Sequence, residues 1–90
     1  MNGFELSSQV SELLFRLWDP IGVNRFVGAR DEYDFYVPVV VTLLINGTSE
    51  KYLAEVLQGF AETQMGLADL PPEIHTRASQ RLMQLVSKTS

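Results

Sequence analysis

Pro38 stands inside a run of β-branched residues from Phe35 to Ile45, and that one placement decides most of what this chain can fold into. Val37, Val39, Val40, Val41, Thr42 and Ile45 have the side chains of a buried strand. A proline cannot donate to a β-ladder, which argues against a central strand. For a helix the signs agree. Asp31 is a good N-cap, Glu32 and Asp34 place negative charge in the first turn, and Tyr33, Val37, Val40, Val41 and Leu44 then share one face. Asn46-Gly47 could close a hairpin, but Thr48-Ser49-Glu50-Lys51 is no partner strand, so a glycine stop of a helix is the better reading. The segment is expected to be helical with a kink near Pro38.

The rest of the chain reads as helix with less conflict. Leu6, Val10, Leu13, Leu14 and Leu17 form the apolar stripe of a helix from about Glu5 to Trp18, which Pro20 ends through its restriction on Asp19. Phe15 and Trp18 fall at the edge of that stripe. Ser49 caps a third helix whose stripe is Leu53, Val56, Leu57 and Phe60 and which runs to Gly66. A fourth starts at Pro71-Pro72, with Ile74, Ala78, Leu82, Leu85 and Val86 inward, and frays near Lys88. Four helices joined by short connections imply an all-α fold, a single compact antiparallel bundle over residues 1–90.

Size and charge narrow the function. A domain of 90 residues buries only roughly 60–65% of the surface of its unfolded chain, so an obligate partner or a homodimer would help it. The absence of cysteine excludes disulfides, thiolate metal sites and a cysteine nucleophile. A formal charge of −4 disfavours a phosphate backbone as partner and favours a basic one. No basic leader precedes the first helix and no apolar run reaches the ~18 residues of a membrane span, so a cytoplasmic protein that binds neither nucleic acid nor membrane is expected.

Candidate chemistry is sparse. Asp19, Asp31, Glu32 and Asp34 could offer oxygen ligands to magnesium or calcium, but they lack the alternate acids, central glycine and later glutamate of a calcium loop, and helix capping already explains them. His75 is the sole histidine and reads as an exposed residue in a first turn, without an orienting group or nucleophile beside it. Asn46-Gly47-Thr48 fits the glycosylation pattern but reads as a turn. Arg77, Arg81 and Lys88 line one side of the last helix, where they complement its C-terminus. No catalytic, cofactor or metal residue is assigned. The aromatic concentration Trp18, Phe26, Tyr33, Phe35 and Tyr36 carries the functional reading. Trp18 and Tyr33 can plug one end of the bundle, whereas Phe35 and Tyr36 lie on another side of their helix and can anchor a protein partner. Trp18, Phe26, Phe35 and Tyr36 are the candidate contact residues.

The pattern Trp18-Asp19-Pro20-Ile21-Gly22-Val23, then Asp31-Glu32-Tyr33-Asp34 and Tyr36-Val37-Pro38, resembles the YugE-like family of short bacterial all-helical proteins. The likeness covers the first half, extends through Leu43-Leu44 and Met65-Gly66, and is thin in the last helix. It implies an all-helical fold in a bacterial cytoplasm and transfers no catalytic residue. The chain is similar in size and charge to small acidic immunity proteins but carries no motif of theirs. The expected function is therefore non-enzymatic: a protein-binding module, immunity-like or regulatory, acting through the Trp18 to Tyr36 surface. The alternatives are a structural homo-oligomer that buries the excess apolar face of Phe35 to Ile45 and, behind it, an enzyme or metal site on the four acids.

Overall fold

A computed structural model describes residues 3–19, 33–64, 66–67 and 69–87. Helix α1 (Gly3–Leu13) continues into a π-helical turn, Leu14–Trp18; a 3₁₀ turn, Asp34–Tyr36, leads into α2 (Val37–Ile45); α3 (Glu50–Gly59) continues into a second π segment, Phe60–Gln64; and α4 is Pro72–Ser87. No strand occurs among the described residues, so the valine run is helical. The fold is an all-α bundle in which α1 packs on α2, α3 on α4, and α4 also meets α1 and α2. Its Cα radius of gyration, 12.3 Å, is that of a compact chain of this length.

Tertiary burial overrides the weak helix propensity of the valines. Val37, Val40, Val41 and Leu44 are all buried on the face expected of them. Pro38 sits in the first turn of α2, where the missing N–H has no intrahelical partner to lose, so its place in the helix does not call for the expected kink. The N-terminal signal also shifts. Asp31 and Glu32 lie outside the described residues; helical geometry starts at Asp34, whose carboxylate accepts a hydrogen bond from Ser11 Oγ at 2.8 Å, and the N-cap of α2 is Tyr36, with no side-chain cap.

At the other end α2 stops as the sequence indicates. Gly47 takes φ +79°, Thr48 N–H donates to Leu43 O at 3.0 Å and Gly47 N–H to Leu44 O at 3.2 Å, the paired bonds of a Schellman motif. Ser49 then caps α3 by accepting from Tyr52 N–H at 3.1 Å. A Cβ at position 47 would meet no atom within 4 Å, so the cost of a side chain there is the left-handed backbone alone. Gly47→Ala should lower stability by about 1–2 kcal/mol and Gly47→Asn by clearly less, in urea unfolding of the two variants.

The first π turn moves the α1 stripe off the expected register. A π turn advances less per residue than an α turn. Beyond Leu14 the buried positions are accordingly Phe15 and Trp18, while Leu17 is 36% exposed instead of inward. Asp19, left-handed at φ 30°, closes this turn by donating its N–H to Leu14 O at 2.9 Å. After the second π segment Gly66, at φ +69°, takes the positive-φ turn, and Leu67 N–H reaches back to Ala61 O at 2.7 Å.

Candidate functional site

Two layers of aromatic side chains meet where the end of α1, the start of α2 and the first turn of α4 converge. The lower layer is buried. Trp18, 2% exposed, lies 5.5 Å from Tyr33, 6.2 Å and edge-on to Tyr36, and 6.3 Å from His75 between ring centroids; Tyr36 rests on Phe60 at 4.6 Å. Polar tips are satisfied inside the layer: Trp18 Nε1–H donates to His75 Nδ1 at 3.0 Å, and Tyr33 O–H donates to Asp19 Oδ1 at 2.7 Å. No buried polar side-chain atom among the described residues lacks a partner.

His75 is therefore a core residue and not the exposed one its position in a first turn suggests. The inward stripe of α4 runs His75, Ala78, Ser79, Leu82, each buried, and Ser79 Oγ donates to Glu50 O at 2.6 Å, joining α4 to the start of α3. The spacing of three, one and three was present in the sequence. Polarity hid it, since a histidine and a serine do not read as core. Desolvation lowers the pKa of His75, and the charge of Glu62 opposes that shift in part. A neutral ring that accepts at Nδ1 carries its proton on Nε2.

The upper layer is exposed and belongs to the 3₁₀ turn and the α2 helix that follows it. Phe35 is 80% exposed, its ring edge-on to Tyr36 at 5.7 Å, so it projects outward from a rigid aromatic base. Beyond it Pro38, Val39, Thr42, Ile45 and Asn46 are also exposed, and a hollow of about 320 Å³ is lined by Pro38, Val39, Thr42 and Leu43. At about 100° per residue these positions fill an arc of roughly 120° opposite the buried face. From Phe35 to Asn46 the chain has no charged residue. A helix that is uncharged and largely apolar on every side normally has both sides covered.

The four candidate contact residues thus separate. Phe35 is on the surface. Trp18 and Tyr36, assigned as contact residues from the sequence, are instead buried in the layer beneath. Phe26 lies outside the described residues. Missed by the sequence reading were Pro38, Val39 and Thr42, whose outward positions follow from the helical period once the inward face is fixed.

The acids do not gather. Asp19 is held by Tyr33 and Asp34 by Ser11, Asp31 and Glu32 are outside the described residues, and among the described residues no group of three or more His, Asp or Glu converges as a metal site would. Arg77 and Arg81 are exposed on α4, and Lys88 is beyond the described residues. No described helix is long and apolar enough to cross a membrane. Comparison with protein-family models, with curated proteins and with solved structures returned no match.

Proposed function

We propose that this chain is a non-enzymatic protein-docking module whose contact surface is the outward face of α2, led by Phe35. The observation that carries this reading is an aromatic side chain held 80% in solvent, on a packed aromatic base, at the head of an uncharged helix. Leaving an aromatic in water forgoes about 1.5–3 kcal/mol of burial, and its rigid base reduces the ordering cost of binding. Those are the properties of an interface anchor. A regulatory or immunity-like role fits such a module, in the bacterial cytoplasm that the YugE-like resemblance implies.

The test is site-specific photocrosslinking in cells that express the full chain. With p-benzoylphenylalanine in place of Phe35, discrete protein adducts are expected; with the same group in place of Gln80, exposed on α4, they are not. Identical patterns from both positions, or no adduct at 35, would end the reading.

A further inference from the structure

We infer that the occupant of the α2 face is a second copy of this chain, packed helix against helix about a two-fold axis that passes over the hollow between Val39 and Thr42. This rests on the docking reading above and names its partner.

Area is the first argument. An aromatic side chain offers roughly 150–250 Å², so Phe35 at 80%, Ile45 at 64% and Val39 at 44% exposure, with Pro38 and Thr42, sum to roughly 400 Å² of mostly apolar surface. One side of a standard interface buries about 800 Å², a little over half of it non-polar, so the face supplies most of the non-polar share that one side of such a dimer needs.

Shape is the second. The arc is high at its two ends, Phe35 and Ile45, and low between them, at the hollow lined by Pro38, Val39, Thr42 and Leu43. A two-fold axis over the hollow runs the two α2 helices antiparallel. It sets Val39 opposite Thr42, Pro38 opposite Leu43, and the projecting Phe35 beyond the partner's Ile45 end, so that one patch meets itself.

Charge is the third. Each chain carries a formal −4, so two copies repel at long range and can meet only through a face without charge. The α2 arc is such a face. A foreign partner is commonly selected and steered by complementary charge, and this arc offers none for that purpose. Added salt should accordingly tighten the complex by screening the repulsion between copies, whereas it weakens one steered by opposite charges.

Sedimentation of the purified full chain from about 1 to 200 µM tests the inference. A monomer–dimer equilibrium is expected, strengthened by salt. Phe35→Asp and Thr42→Arg should each raise the dissociation constant at least ~100-fold while circular dichroism shows the helices intact; Tyr52→Asp, at an exposed aromatic of α3, should not. The chain has no cysteine, so Thr42→Cys gives one thiol near the axis. Oxidation should link it into disulfide dimers, and Gln80→Cys should form no disulfide-linked dimer. A wild-type chain that is monomeric at 200 µM, or a dimer indifferent to both α2 variants in their folded form, overturns self-association. If such a monomer still gives adducts from position 35 in cells, the docking face stands and only its occupant is wrong. If those adducts are missing too, both readings fall.

Discussion

Replacing Trp18 by alanine should lower the unfolding free energy by about 3–5 kcal/mol, a large share of the stability that a chain of 90 residues commonly has. Two losses add. The ring is 2% exposed and touches Tyr33, Tyr36 and His75, so its removal opens a cavity where the end of α1, the start of α2 and the first turn of α4 meet. It also strips His75 Nδ1 of its donor inside the core. Trp18→Phe separates the two: most of the packing returns but the N–H does not, and the buried acceptor left behind should cost about 1–3 kcal/mol. Phe35→Ala, at a side chain 80% exposed, should leave monomer stability within about 0.5 kcal/mol. Urea unfolding of the three variants, followed by circular dichroism below the dimer range, gives the order Trp18→Ala, Trp18→Phe, Phe35→Ala. Equal loss for Phe35→Ala and Trp18→Ala in a strict monomer would make Phe35 a core residue and remove the docking face.

The inward face of α2 was legible because Pro38 argued against the strand and the helical period then placed Val37, Val40, Val41 and Leu44. Gly47 and Ser49 were legible because each serves a local hydrogen-bond pattern that needs little from the rest of the fold. What the sequence concealed has two physical origins. One is the π turn at Leu14–Trp18: it changes the period within a continuous helix, and a stripe projected at 3.6 residues per turn puts Leu17 inward and Trp18 at the edge, the reverse of what is found. The other is a polar pair in the core. Trp18 and His75 are 57 residues apart, and nothing local to either announces that one will accept a hydrogen bond from the other. Of the contact surface, Phe35 was found from its angle to Tyr33. Tyr36 was misplaced because the 3₁₀ turn, with fewer residues per turn, swings it under Phe35 instead of beside it.

That same hydrogen bond sets how the protein responds to acid. Nδ1 of His75 can accept from Trp18 only while the ring is neutral; protonation turns Nδ1 into a second donor facing the indole N–H at 3.0 Å. Burial lowers the pKa of His75 in the folded chain from its ordinary 6.5, and the charge of Glu62 offsets part of that effect. The unfolded chain therefore binds a proton first as the pH falls. The contribution of His75 to stability is present in full above about pH 6.5 and is lost below it, at up to about 1.4 kcal/mol per pH unit until the folded pKa is reached. Unfolding free energies measured at half-unit steps from pH 7.5 to 5 should decline through that window, with Trp18 fluorescence changing alongside. His75→Gln, whose amide oxygen can accept from Trp18 and does not titrate, should flatten the decline. The charged groups of the adjoining α3 and α4 surface, Glu50, Lys51, Glu55 and Glu62, are unchanged in that variant and remain a common background. A wild-type curve as flat as that of His75→Gln would mean that the buried ring keeps its ordinary affinity for a proton, and the Trp18–His75 bond would then not be the acid-sensitive joint of the bundle.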